Sequence, residues 1–189
     1  MQQTSKRLRK FPNILVTGTP GCGKTTLCEN IVSAMAQQNI KYNHLNVSQI
    51  AVDGKFTEEY DMERQTHVLD EEPLLDHLEE ILSDFEETGY VVDYHSSELF
   101  PERWFDAVVC LATDNTVLYN RLSKRGYAEQ KIQENLQCEI FQVCLQEAQE
   151  SYDKDLVLHL VNDTDDDMED NVESISKLIN TGINSRRNL

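Results

Sequence analysis

Residues 14–25 read Ile14-Leu15-Val16-Thr17-Gly18-Thr19-Pro20-Gly21-Cys22-Gly23-Lys24-Thr25, an apolar run followed by the pattern G-x-x-x-x-G-K-[ST]. The apolar run predicts a strand, and the residues from Thr25 onward have helical apolar spacing. A glycine loop between a strand and a helix turns backbone N–H groups toward an anion, and the helix dipole adds to their attraction. The pattern therefore predicts a phosphate-binding loop. The alternative is a glycine turn with an incidental lysine.

Two side chains of this loop have a chemistry suited to a nucleoside triphosphate. The Lys24 ammonium can reach the β- and γ-phosphates, and the Thr25 hydroxyl can hold Mg²⁺. We therefore expect ATP with Mg²⁺ as the ligand.

Size and composition limit the kind of protein that carries this loop. A chain of 189 residues that is 39% hydrophobic predicts one compact domain over residues 1–189, with room for small inserts. No apolar run approaches the ~20 residues of a membrane span, and the first residues lack a signal-peptide stretch, so we expect an intracellular protein without membrane contact. The five cysteines form no C-x-x-C pair. We expect them to be reduced packing residues rather than disulfide partners or metal ligands.

The formal net charge is −17, which argues against direct nucleic-acid binding and favours a basic protein partner. An acidic cluster at residues 163–170 predicts the start of a helix, since negative charge suits the N-terminal dipole. The basic tail at residues 1–11, with its positive charges between Lys6 and Lys10, is either a nuclear address or a solvated end.

Apolar segments alternate with helical patterns along the chain. Strands are predicted at Asn13–Thr17, Tyr42–Val47, Tyr90–Asp93, Ala107–Leu111 and Leu156–Leu160. Helices are predicted at Thr25–Gln38, after a cap at Ser48, from Pro73, over Val117–Leu122, over Ile132–Ala148 and from Val172. The polar segment Asp53–Val68 predicts a mobile insert. The pattern indicates an α/β fold, a five-stranded parallel sheet flanked by helices, with ligands at the carboxyl ends of the strands.

Asp93 ends one of these strands, and His95 follows two residues later. A carboxylate beside a phosphate loop can orient Mg²⁺, although a strand-end aspartate can also cap a turn. On extended backbone the two side chains share a face. His95 therefore either positions a water or hydroxyl near the metal-held phosphate or is a hydrogen-bonded turn residue. The other four histidines have no metal-site spacing, and we expect no metal binding by them.

Arg121 and Arg125 lie one helical turn apart, and Gly126 follows them. A pair of arginines beside a glycine hinge indicates a lid that closes over phosphates and stabilises the charge of a transferring phosphoryl group. The alternative is a helix end whose cations satisfy the dipole.

These features together resemble the adenylate kinase isoenzyme 6 family, also called the coilin-interacting nuclear ATPase family. The matching segments are the phosphate loop, Asp93-Tyr94-His95, Phe100-Pro101-Glu102-Arg103, Arg121-Leu122 with Arg125-Gly126-Tyr127, and Gln137-Cys138-Glu139-Ile140-Phe141. The resemblance covers about residues 12–179. It implies a small P-loop nucleoside monophosphate kinase fold with a monophosphate-binding insert near residues 46–69 and a short lid near residues 124–134.

The resemblance also implies an activity and a biological setting. These are Mg²⁺-dependent transfer from ATP to AMP or a related monophosphate, an ATPase activity, and a role in small ribosomal subunit maturation. A basic ribosomal protein as partner and location in the nucleus and cytoplasm are implied as well. Phosphate contacts would come from Gly21, Gly23, Lys24, Thr25 and Thr26, and Arg125 would be the lid arginine.

Two more roles come from the resemblance: Asp93 would serve the metal, and His95 would serve ATP hydrolysis. One position departs from the family pattern. Relatives carry a basic residue after the alanine that corresponds to Ala51, where it can hold the acceptor phosphate, but here Val52 follows. Either Lys55 substitutes for it or acceptor binding is weak.

Three classes of function remain open from the sequence. The first is a nucleoside monophosphate kinase that also hydrolyses ATP. The second is an ATP-driven ribosome assembly factor with incidental kinase activity, and the third is a small-metabolite P-loop kinase.

Overall fold

The structure is a computed structural model that describes residues 9–61, 66–83 and 87–187. Seven strands are present in these ranges: β1 Ile14–Gly18, β2 Tyr42–Asn46, β3 Thr57–Asp61, β4 Thr66–Leu69, β5 Gly89–Asp93, β6 Ala107–Ala112 and β7 Val157–Val161. The helices there are α1 Lys24–Gln37, α2 Val47–Asp53, α3 Glu71–Leu82, α4 Asn115–Lys124, α5 Glu129–Ile140, α6 Val143–Ser151 and α7 Asp165–Arg187. Short 3₁₀ turns lie at Glu102–Trp104 and Lys154–Leu156.

The main sheet has five parallel strands in the order β2-β5-β1-β6-β7. The predicted fold class, an α/β P-loop fold with a five-stranded parallel sheet flanked by helices, is thus confirmed. β1 is central and completely buried. The chain connects β1 to strands on one side of it and later crosses to strands on its other side. The loops at the carboxyl end of β1 therefore diverge and leave a crevice, which is the usual ligand position in such sheets.

The two faces of the sheet hold separate apolar clusters because successive strand side chains alternate. Ile14 and Val16 pack with α1 and α7 on one face. Leu15 packs on the other face with α3 and with Trp104. The regularly spaced apolar residues of the first and last helices are therefore the ones that pack on the sheet, as the sequence predicted.

The segment after α2, predicted as a mobile insert, contains two strands. β3 and β4 form a two-stranded antiparallel sheet, with Thr57 opposite Leu69 and Asp61 opposite Thr66. A lone ribbon of this kind is joined by backbone hydrogen bonds and need not show the alternation of a half-buried strand. These two strands were therefore not predicted from the sequence.

Two helix boundaries also differ from the predictions. Asn46, not Ser48, caps α2, since its side-chain oxygen accepts from Gln49 N at 2.9 Å. The helix predicted over Ile132–Ala148 is two helices, broken where Gln142 has a φ of 52°. The break redirects α6, whose Ala148 is buried against the sheet, while Phe141 at the corner stays exposed.

The acidic cluster begins α7 as predicted, with Asp165, Asp166 and Asp167 in the first helical turn. The basic tail predicted at residues 1–11 lies mostly outside the described residues, as does Phe85 of the helix predicted from Pro73. Among the described helices, none combines the length and hydropathy needed to cross a membrane.

Candidate functional site

The phosphate-binding loop has a backbone that only glycine tolerates at two of its positions. Gly21 and Gly23 have φ values of 100° and 102°, in the left-handed region. A Cβ on Gly23 would lie 2.4 Å from Asn162 Nδ2, which donates to the Cys22 carbonyl at 2.7 Å. Asn162 therefore fixes the loop from the end of β7.

Lys24 is the first residue of α1, and its side chain folds back over the loop. Its Nζ donates to the Gly18 carbonyl at 2.7 Å and to the Thr19 carbonyl at 3.3 Å. The ammonium thus lies where the loop N–H groups and the α1 dipole attract an anion. A phosphate entering this loop meets a cation already in place.

The Thr25 hydroxyl donates to Asp93 Oδ2 at 2.6 Å. The same oxygen accepts from Asn46 Nδ2 at 3.0 Å and lies 3.6 Å from His44 Nε2. Asp93 is 4% exposed at the end of β5. Two oxygen donors of the kind that Mg²⁺ prefers therefore meet beside the phosphate loop.

Asp93 is held in its charged form. Burial alone would raise the pKa of this carboxyl, but the contacts from His44 and Thr25 and the charge of Lys24 outweigh burial. The pKa of Asp93 is therefore below its usual value, and the group is a carboxylate at neutral pH.

His95 lies in the same cleft, as its spacing from Asp93 predicted. The cleft has a volume of about 240 Å³, and its lining residues are Pro20, Gly21, Gly23, Lys24, Thr25, Thr26, Asn46, Ser48, Asp93, Tyr94, His95, Arg125 and Tyr127. The His95 ring packs on the buried Tyr94 ring at a centroid distance of 4.4 Å. The backbone carbonyl of His95 accepts from Thr17 Oγ1 at 2.9 Å. Desolvation, then the charge of Lys24, lowers the pKa of His95 against the opposing effect of Asp93. The imidazole is therefore mainly neutral at pH 7, the form that accepts a proton.

The two arginines of the predicted lid have different surroundings. Arg125 caps the end of α4 and lines the cleft. Arg121 donates from its two terminal nitrogens to the carbonyls of Asn162 and Asp163, each at 2.9 Å, and is not among the described residues that line the cleft. The structure thus brings Arg125 to the phosphate region and assigns Arg121 to joining α4 to the loop after β7.

Two residues near the loop were not predicted to act there. Asn46 supports Asp93 while capping α2, and Glu139 accepts from the Thr19 hydroxyl and from Thr113 N. Glu139 was noticed only within the segment Gln137–Phe141. Its role had no sequence signal because Thr19, Thr113 and Glu139 are far apart along the chain.

Comparisons with known proteins find a matching family model and several similar chains. A family model described as an AAA domain matches residues 14–142. The chain is 46% identical over 170 residues to an adenylate kinase isoenzyme 6 homolog of Caenorhabditis elegans, covering 90% of each chain. It is 46% identical over 164 residues to the homolog of Drosophila melanogaster, covering 87% of this chain and 89% of that one.

Among solved structures, the shikimate kinase of Bacteroides thetaiotaomicron matches with a TM-score of 0.57 at 17% identity, covering 90% of this chain and 99% of that chain. A gluconokinase from Sinorhizobium meliloti matches with a TM-score of 0.56 at 16% identity, covering 92% and 96%. At these identities the likeness concerns the fold alone.

Proposed function

The chain belongs to the adenylate kinase isoenzyme 6 family, and we propose that it transfers the terminal phosphoryl group of ATP to a nucleoside monophosphate and also hydrolyses ATP. It is a phosphotransferase of the adenylate kinase type. The observation that carries the proposal for this chain is that Lys24, Thr25, Asp93 and Arg125 line one cleft.

The roles of these residues follow from their positions. The N–H groups around Gly21 and Gly23 and the Lys24 ammonium hold the phosphates of ATP, with Thr26 at the edge of the same cleft. The adjacent oxygens of Thr25 and Asp93 fit Mg²⁺. When bound, this ion would neutralise charge on the phosphate oxygens. Arg125 adds a fixed positive charge where charge develops on the transferring group.

His95 is suited to the hydrolytic branch of the activity. Its neutral imidazole in the cleft can orient a water molecule and accept its proton. Phosphoryl transfer to a monophosphate needs no such help, because the acceptor supplies its own phosphate oxygen as nucleophile. We therefore assign His95 mainly to hydrolysis.

The acceptor site is proposed in the insert at residues 46–69, with residues 124–134 acting as the lid. Val52 in α2 is 55% exposed, at the position where the family resemblance implies a basic residue. Lys55 follows α2 with a φ of 57° and is exposed. A hydrophobic side chain at residue 52 removes one attraction for the acceptor phosphate, so we expect weak monophosphate binding.

The experiment measures steady-state ATP consumption with Mg²⁺, alone and with AMP, CMP or dAMP. We expect stimulation by at least one monophosphate in the wild-type chain. Lys24→Ala should lose turnover while retaining its fold, since among the described residues the Lys24 ammonium donates only to carbonyls of its own loop. A folded Lys24→Ala variant with wild-type turnover would contradict the proposal.

A second candidate function is ATP-driven assembly of the small ribosomal subunit in the nucleus and cytoplasm, with a basic ribosomal protein as partner. The net charge of −17 and the acidic first turn of α7 favour such a partner over nucleic acid. In this case a basic small-subunit ribosomal protein should stimulate ATP turnover more than any monophosphate does. Stimulation by neither a monophosphate nor such a protein would favour the metabolite kinase instead.

A further inference from the structure

Three side chains from different elements converge behind the phosphate loop. Cys28 of α1, His44 of β2 and Asp93 of β5 each offer one ligand atom, and these atoms all lie within 4.8 Å of one another. β2 and β5 pair with His44 opposite Val91, which places His44 and Asp93 on the same face of the sheet. α1 covers this face, with Cys28 packed in the same apolar cluster as Val91.

This cluster, defined as Cys28, His44 and Asp93, is mostly buried and contains an unsatisfied donor or acceptor. Cys28 is 0% exposed, and the side chains of His44 and Asp93 are 17% and 4% exposed. His44 Nε2 makes no hydrogen bond among the described residues, and its contact with Asp93 Oδ2, at 3.6 Å, is too long for one. A buried polar nitrogen without a hydrogen bond costs free energy, and in native proteins it often indicates a missing ligand, ion or water.

We propose that Cys28, His44 and Asp93 form a binding site for a borderline-soft divalent cation of the Zn²⁺ class. Sulfur, imidazole nitrogen and carboxylate oxygen are the donors that Zn²⁺ takes, whereas Mg²⁺ and Ca²⁺ take oxygen. Tetrahedral nitrogen and oxygen ligands of Zn²⁺ lie roughly 3.3–3.5 Å apart, as expected from bond lengths of about 2.0–2.2 Å. The separation of 3.6 Å between His44 Nε2 and Asp93 Oδ2 is close to this range.

The remaining ligand of the proposed site is Cys28. Its sulfur is within 4.8 Å of the other two ligand atoms. On binding, the thiol releases its proton to solvent and the sulfur bonds the cation, without any change of oxidation state. A water molecule can fill the fourth position from the cleft side, where Asp93 and the adjacent Asn46 line the cleft.

Occupancy of this site would oppose nucleotide chemistry. Asp93 Oδ2 accepts from Thr25 and Asn46 in the present structure. A cation held by Cys28 and His44 would draw this carboxylate away from the Thr25 hydroxyl. Zn²⁺ is therefore an inhibitor of ATP turnover in this account, acting through a site distinct from the ATP phosphates.

The site is tested by metal binding alone, without nucleotide or Mg²⁺, so that the result does not depend on the proposed phosphotransfer. Purified full-length chain is titrated with Co²⁺, which reports tetrahedral geometry and thiolate ligation by its absorption, and then with Zn²⁺ in competition. We expect one high-affinity ion per chain with a thiolate-to-cobalt band that Zn²⁺ abolishes.

One ligand each is removed by Cys28→Ala and His44→Gln. The matched controls are Cys138→Ala and His159→Ala, because the side chains of Cys138 and His159 are exposed. We expect Cys28→Ala to lose the thiolate band, and both ligand variants to bind Zn²⁺ at least ~100-fold more weakly than wild type. The controls should bind as wild type does. Circular dichroism checks folding, and His44→Gln decides alone if Cys28→Ala does not fold.

Three results would overturn the proposal. The first is a wild-type chain without the thiolate band. The second is wild-type affinity in His44→Gln or in folded Cys28→Ala. The third is loss of binding in a control variant.

Discussion

Glu139 offers the most demanding test of how the phosphate loop is held. Its carboxylate accepts from the Thr19 hydroxyl and from Thr113 N, the latter at 2.7 Å. Thr19 and Thr113 are 1% and 5% exposed, so removal of the carboxylate takes an acceptor away from two buried residues. The Thr19 carbonyl also accepts from Lys24. Replacing Glu139 should therefore both destabilise the fold and loosen the loop that holds Lys24.

The magnitude follows from the two hydrogen bonds. Each hydrogen bond to a charged group contributes about 1.5–3 kcal/mol. Glu139→Gln keeps one acceptor oxygen but turns an N–H₂ group toward a donor, so it should cost about 2 kcal/mol, or ~4–8 °C in Tm for a domain of this size. Glu139→Ala loses both acceptors and should cost about 3–5 kcal/mol. If loosening of the loop raises the activation free energy by ~1.4 kcal/mol, kcat/KM for ATP falls about tenfold.

Urea unfolding gives the free energy of unfolding, and steady-state ATP turnover gives kcat/KM for each variant. Glu134→Gln is the matched control because Glu134 lies on the same helix, is exposed and accepts only from Gln130 among the described residues. The reasoning is refuted if Glu139→Gln has the stability and kcat/KM of the Glu134→Gln control.

The remaining predictions separate roles within the cleft. Arg125→Ala should lower kcat by ~10² with little change in ATP affinity, because the charge of Arg125 acts on the transition state. Arg121→Ala should instead lower Tm, since this variant loses two hydrogen bonds to carbonyls. Equal kcat losses in the two variants, without a difference in Tm, would refute this division of roles. His95→Gly should lower the rate of ATP hydrolysis more than the rate of transfer to AMP, whereas Asp93→Asn should lower both rates. ADP formation is assayed with and without AMP on one preparation of each variant. Equal losses of the two rates in His95→Gly would count against the assignment of His95 to hydrolysis. Val52→Lys should lower the KM for AMP and leave the KM for ATP unchanged. Titration with AMP measures the first of these constants. An unchanged KM for AMP would show that residue 52 does not face the acceptor.

The sheet and the phosphate loop could be predicted because their signals are local. The apolar run at Ile14–Val16 is buried whichever strands flank it, and the glycine pattern from Gly18 to Thr25 fixes its own backbone. Helix ends are weaker signals. Asn46 and Ser48 are both good caps by composition, and the hydrogen bond that selects Asn46 also depends on Asp93 from another strand.

The break between α5 and α6 could not be predicted from periodicity. Ile140 and Phe141 continue an apolar pattern, yet they are 58% and 65% exposed. What selects the break is nonlocal: Glu139 must contact the phosphate loop, and Ala148 must pack on the sheet. No residue in this segment is a glycine or proline that would have marked it.

The site shows the same limit. Thr25, Asp93 and Arg125, each singled out from the sequence, lie in one cleft, whereas Arg121 contacts the loop after β7. Two arginines one turn apart look equivalent in sequence, so their different surroundings were not predicted. We expected no metal at cysteines and histidines outside a spacing motif, and the site proposed at Cys28 and His44 departs from that expectation. Their approach depends on the register of β2 against β5 and on the seating of α1, neither of which leaves a pattern along the chain.

The most direct test of the central claim follows the phosphoryl group itself. The chain is incubated with Mg²⁺, AMP and ATP labelled in its terminal phosphoryl group, and the products are separated. The account predicts label in ADP, formed from AMP, together with a smaller release of labelled inorganic phosphate, and loss of both products in Lys24→Ala. No labelled nucleoside diphosphate with AMP, CMP or dAMP as acceptor would contradict it.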